Sequence, residues 1–67
     1  MNSKNDGTIE LEGGYIFNWM RRNGDGEIFG SVLHPEDGFV VGLSGWYRTD
    51  DAEDAAKMAQ IKLNQYL

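Results

Sequence analysis

The sequence predicts an α+β fold: a three-stranded antiparallel meander followed by one C-terminal helix (β-β-β-α), with a short extra N-terminal strand left as an open alternative. Three observations predict it. Two turn signals, Asn23-Gly24-Asp25-Gly26 and Pro35-Glu36-Asp37-Gly38, lie between segments rich in aromatic and β-branched residues. Apolar residues alternate with period two inside those segments. From Ala52 onward the period changes, and alanines recur at helical spacing.

The elements follow in order. Met1 to Gly7 is polar and reads as a tail (1–7) preceding a single domain (8–67). Thr8-Ile9-Glu10-Leu11-Glu12 alternates and fits a short edge strand, which Gly13-Gly14 break. Tyr15 to Arg22, Glu27 to His34 and Phe39 to Tyr47 are the three strands of the meander. Thr49 or Asp50 is the expected helix cap, with Glu53 completing a capping box on Asp50. Asp50, Asp51, Glu53 and Asp54 suit the positive end of the helix dipole, and Glu53 to Lys57 is a favourable i,i+4 pair. Ala52, Ala55, Ala56, Ala59, Leu63, Tyr66 and Leu67 form one apolar stripe, whose small residues let the helix lie close on a sheet. Ile61 and Met58 point away from it.

Turn lengths set a register. Pairing Arg22 with Glu27 sets Met20 opposite Phe29, Trp19 opposite Gly30 and Phe17 opposite Val32. Pairing His34 with Phe39 sets Val32 opposite Val41 and Gly30 opposite Leu43. One face then holds Tyr15, Phe17, Trp19, Ile28, Val32, Phe39, Val41 and Leu43, with Gly30 leaving room for the Trp19 indole. This is the expected core. The other face holds Ile16, Met20, Phe29, Leu33, Val40 and Trp46, diluted by Asn18, Ser31, Gly42 and Ser44. A half-exposed antiparallel sheet is normally polar on its solvent side. An apolar second face calls for a cover: the Ile9/Leu11 segment, a second copy of the chain, or a partner. A domain of this size is marginal alone, so oligomerisation or partner binding is a natural remedy.

Composition narrows the function classes. The chain has 67 residues, 40% of them hydrophobic and 25% charged, so it is expected to fold as one small domain. Six Lys and Arg against eleven Asp and Glu give a net charge of -5, the wrong sign for a general nucleic-acid binder. With no cysteine there are no disulfides, thiolate metal sites or Cys nucleophiles. No apolar run approaches the ~20 residues of a membrane span, and no signal-peptide pattern is seen. The expectation is a soluble, cytoplasmic protein.

Candidate chemistry is sparse. His34, the sole histidine, precedes Pro35 at a hairpin rim and lacks a spaced set of co-ligands, so it reads as a solvent-facing structural residue. Ser3, Ser31 and Ser44 sit in no nucleophile-turn context. Asn23 to Glu27 lacks the ligand spacing of a calcium loop and reads as a hairpin turn. The acids are exposed and mutually repelling, without a pocket to pair them for acid–base work. No enzyme activity, cofactor or metal is expected. The acids do cluster, however. The third strand should return the chain to the end of the sheet holding the first turn, bringing Asp25 and Glu27 near Asp50, Asp51 and Asp54. Such a row of carboxylates mimics phosphate spacing and would attract a basic nucleic-acid-binding groove, although Arg21, Arg22 and Arg48 fall near the same end.

A three-stranded meander followed by Thr49-Asp50-Asp51-Ala52-Glu53-Asp54-Ala55-Ala56 resembles, over Gly26 to Leu67, the arm-binding domain of phage-type integrases. That resemblance implies a sheet that reads DNA, but here the face carries Glu27, Ser31, Val40 and Ser44 rather than basic residues. The strand-to-helix passage from Gly38 to Leu67 is similar to the HicB-type antitoxin domain. In size, acidity and lack of cysteine the chain looks like the small anti-CRISPR proteins of phages. This last likeness implies a non-enzymatic inhibitor that occupies a protein surface or nucleic-acid groove of a defence complex in the host cytoplasm.

The expected function is therefore protein binding: inhibition or regulation of a nucleic-acid-handling partner, with no direct nucleic-acid or membrane binding. Asp25, Glu27, Asp50, Asp51 and Asp54 would steer the partner. Met20, Phe29, Leu33, Val40 and Trp46 would anchor it. The alternatives are a homodimer through the second sheet face and an integrase-type DNA-binding domain.

Overall fold

The computed structural model describes residues 5–21, 26–38 and 42–67. Its described elements are β1 (Asp6–Glu10), a 3-10 turn (Glu12–Gly14), β2 (Ile16–Arg21), β3 (Ile28–Leu33), β4 (Gly45–Tyr47) and α1 (Ala52–Tyr66). The strands form one antiparallel sheet in the order β1-β2-β3-β4. A single helix crosses β2 and β3 on one side. The α+β class is as the sequence predicts, with the extra strand present.

β1 starts at Asp6, inside the stretch read as a tail, and ends at Glu10 rather than Glu12. It pairs along the edge of β2, with Asp6 opposite Met20 and Glu10 opposite Ile16. The chain reverses through the 3-10 turn, where Gly13 and Gly14 adopt φ of 80° and 84°, a region closed to most side chains. Leu11 N–H closes the turn on the Tyr15 carbonyl at 2.7 Å. The Ile9/Leu11 segment therefore widens the sheet and does not cover its second face. Ile9 and Leu11 pack against the core from the helix side.

Between β2 and β3 the register is the expected one: Phe17 faces Val32, Trp19 faces Gly30 and Met20 faces Phe29. Between β3 and β4 it is shifted by two residues, with Gly30 opposite Gly45 and Phe29 opposite Trp46. An even shift leaves each side chain on its own face. It replaces Leu43 with Gly45 beside Gly30, and Leu43 lies before the strand. Tyr47, absent from the expected core, is buried in it. The observed core is Phe17, Trp19, Ile28, Val32, Tyr47, Ala55, Ala56, Ala59 and Leu63, with Tyr15 and Leu43 partly buried against it. Phe39 and Val41, expected there, lie outside the described residues.

The space above Gly30 is filled by the Phe17 ring, not by the Trp19 indole. A Cβ at Gly30 would collide with Phe17 Cε1 and Cζ and lie 3.3 Å from Tyr47 Cε1. Trp19 instead covers Gly7 of β1, where a Cβ would stand 3.2 Å from its Nε1. Each aromatic thus leans over a glycine on the adjacent strand. Phe17 also meets Tyr47 edge to face, with centroids 5.3 Å apart.

On α1 the alanine stripe packs as expected through Ala55, Ala56, Ala59 and Leu63. Tyr66 and Leu67, read as the end of that stripe, are 59% and 74% exposed. The helix cap is Asp51, whose Oδ1 accepts from Glu53 N–H at 2.9 Å. Thr49 and Asp50 are not the cap. Thr49 Oγ1 accepts from Asp51 N–H at 3.1 Å, while the Thr49 carbonyl accepts from Ile28 N–H. Both residues are occupied in joining strand to helix.

Candidate functional site

The sheet has one helix, so it has one side without cover among the described residues. The pleat places Asp6, Thr8 and Glu10 of β1 on that side, next to Met20, Asn18 and Ile16 of β2. β3 adds Phe29, Ser31 and Leu33, and β4 adds Trp46. These residues form rows across the strands. Asp6, Met20, Phe29 and Trp46 make the first row. Thr8, Asn18 and Ser31 make the second, which Ser44 extends through a 3.1 Å contact between the Ser31 and Ser44 hydroxyls. Glu10, Ile16 and Leu33 make the third.

The first row is the most accessible apolar feature of this face: Met20 is 55% exposed and Trp46 49%. Phe29 lies between them and meets Trp46 edge to face at 5.2 Å. An open depression of about 630 Å³ lies beside this row, bounded by Asp6, Thr8, Asn18, Met20, Phe29 and Ser31 among others. Of the expected apolar anchors, the structure unites Met20, Phe29 and Trp46. Leu33 is half-buried and lies across the polar row from them, and Val40 falls outside the described residues. Asp6 was missed because the alternation of β1 was read as beginning at Thr8. Its membership depends on pairing with β2, which no local pattern announces.

The acidic end lies at the sheet edge where the first row runs. A Cβ at Gly26 would approach the Asp50 Cβ to 3.3 Å, and Ile28 N–H donates to the Thr49 carbonyl at 3.1 Å. The approach to β3 and the helix start are therefore neighbours. Glu27, Asp50, Asp51 and Asp54 are all exposed there, while Asp25 lies outside the described residues. Arg21 is set among them: its Nη2 donates to the Asp50 carbonyl at 2.9 Å, and its guanidinium lies 5.7 Å from the Trp19 ring centroid.

His34 is half-buried rather than solvent-facing. Its Nδ1 accepts from Glu36 N–H at 3.1 Å and Asp37 N–H at 3.3 Å, and its ring meets Tyr15 edge-on at 5.5 Å. It organises the turn beginning at Pro35. Among the described residues no group of three or more His, Asp or Glu side chains is placed to hold a metal ion. No described helix is long and apolar enough to cross a membrane. No family model matches the chain, and neither does a curated protein or a solved structure.

Proposed function

We propose that this chain is a non-enzymatic protein-binding module that docks on a basic, nucleic-acid-handling partner and blocks or regulates it, in the manner of anti-CRISPR proteins. The observation that supports this reading is the sheet face left without cover among the described residues, on which Met20 and Trp46 stand exposed with Phe29 between them, beside a rim of carboxylates. Aromatic and methionine side chains supply most of the energy at protein interfaces once water is excluded. Glu27, Asp50, Asp51 and Asp54 steer a positive surface toward that patch, with their influence screened by salt. Leu33 adds apolar area at the far row.

The test is affinity capture from a bacterial lysate with the native chain, with Met20→Lys plus Trp46→Lys, and with Asp50→Asn plus Asp51→Asn plus Asp54→Asn. Asparagine still caps a helix, so the last variant keeps its fold. The expected result is a captured nucleic-acid-handling protein that the lysine variant loses and the asparagine variant holds weakly, with a flatter salt dependence. Identical captures by all three would refute the reading. A homodimer through the same face is the second reading, favoured by the exposed Met20 and Trp46 side chains flanking Phe29 on that face. Sedimentation at several concentrations separates the two, since a concentration-independent monomer excludes the dimer.

A further inference from the structure

The outer edge of β1 is a second docking feature, carried by outward-pointing backbone groups rather than by the exposed apolar row. Asn5 accepts from Arg21 N–H at 2.6 Å, and Leu11 N–H donates to the Tyr15 carbonyl at 2.7 Å. In an antiparallel ladder, hydrogen-bonded and non-hydrogen-bonded pairs alternate. Asn5, Gly7, Ile9 and Leu11 therefore spend their backbone groups on β2. The N–H and C=O groups of Asp6, Thr8 and Glu10 point away from the sheet, and no described strand pairs with them. All three residues are exposed. Alongside this edge, on the helix side, runs a groove of about 340 Å³ whose apolar floor is Ile9, Leu11 and Ala56, with Glu10, Glu53, Lys57 and Gln60 on its walls. The Gln60 side chain ties the far end by accepting from Glu12 N–H at 2.9 Å.

We infer that this edge accepts an extended peptide segment as a fifth strand, one in which basic side chains alternate with apolar ones. Main-chain pairing with Asp6, Thr8 and Glu10 supplies affinity, and side-chain alternation supplies selectivity. One set of the incoming side chains lies on the open face against the Asp6 and Glu10 carboxylates, where Lys or Arg is complementary. The other set enters the groove over Ile9, Leu11 and Ala56, where a small aliphatic side chain fits. A second copy is the poorer occupant. Antiparallel pairing of two β1 edges centred on Thr8 places Asp6 of each copy opposite Glu10 of the other, and like charges directly opposed across strands are destabilising.

The probe is the capped peptide Lys-Val-Lys-Val-Lys-Val-Lys, titrated into the isotope-labelled native chain and followed by backbone amide shifts. Shifts are expected at Asp6, Thr8 and Glu10 and at Lys57 and Gln60 across the groove. Thr8→Pro removes an outward N–H without breaking the ladder and should weaken the probe about tenfold, the worth of one main-chain hydrogen bond. Asp6→Asn plus Glu10→Gln should weaken it and flatten its salt dependence, and the Glu-Val counterpart of the probe should not bind. Shifts confined to Met20, Phe29 and Trp46, equal binding of the acidic peptide, absence of binding, or a native dimer that Thr8→Pro dissociates would each overturn the inference. The Trp46→Lys variant, altered on β4 at the opposite edge of the sheet from β1, should bind the probe like the native chain, so the edge and the exposed apolar row succeed or fail separately.

Discussion

A methyl group added at Gly30 has nowhere to go, because the Phe17 ring already lies on that backbone and Tyr47 closes the other side. Phe17 is fully buried on β2, with little freedom to retreat in a close-packed core. Gly30→Ala should therefore cost about 2–3 kcal/mol, at the upper end of overpacking penalties, read from urea denaturation. Gly7→Ala, facing Trp19 at 3.2 Å, should cost less. Tyr47 carries a different signature. Its O–H donates to the Leu43 carbonyl at 3.1 Å, and the Lys62 ammonium stands 4.6 Å from its ring centroid. Burial raises its pKa above the ordinary 10.0 by disfavouring the phenolate. A raised folded value means that the phenol's stabilising contribution is complete below 10.0 and is lost as pH climbs through the folded value. Tyr47→Phe should lose about 1 kcal/mol at neutral pH with the hydrogen bond. The gap between the two proteins should then narrow in alkali. A gap that stays constant to high pH would contradict this assignment.

At the scale of elements, the helix start shows how neighbours choose among equivalent residues. Thr49, Asp50 and Asp51 can all cap a helix, and local preference ranks them closely. The choice falls on Asp51 because the Thr49 carbonyl is held by Ile28 and the Asp50 carbonyl by Arg21. Asp51→Ala should cost about 1 kcal/mol of stability in denaturant titrations. Asp50→Ala should cost far less, since a backbone carbonyl is supplied by any residue. Equal losses would move the cap back to where sequence alone set it. The β2–β3 register was legible from the positions of strand ends around the first turn. The β3–β4 register was not: a long connection leaves pairing to side-chain packing, and burying Tyr47 against Phe17 and Ile28 shifts the strand by two residues.

For the whole molecule, the question was what covers an apolar second face. Alternation showed that Met20, Phe29 and Trp46 share a side, and the acidic balance of -5 showed the sign of the surface beside them. The candidate site was legible to that extent. Its extension by Asp6 and the separation of Leu33 were not, since both depend on which strand lies next to which. β1 could have folded over the bare side, and the docking surface would then have vanished. It joins β2 edge to edge instead, keeping Ile9 beside the helix and leaving the opposite side without cover among the described residues.

From its own order of residues, then, the chain determines that strand segments precede one helix, which side chains share a face, and how the first two strands of the meander are matched, because pleat, helical period and tight turns act over a few neighbours. It does not fix the strand ends, since β1 starts at Asp6 and, among the described residues, β4 covers only Gly45–Tyr47 of the strand read over Phe39 to Tyr47. Only the tertiary structure decided that β1 pairs beside β2 rather than folding over the second face, that Tyr47 is core, and that Tyr66 and Leu67 stand exposed. Each of these depends on competition for contacts between segments far apart in the chain, and period alone cannot rank such contacts.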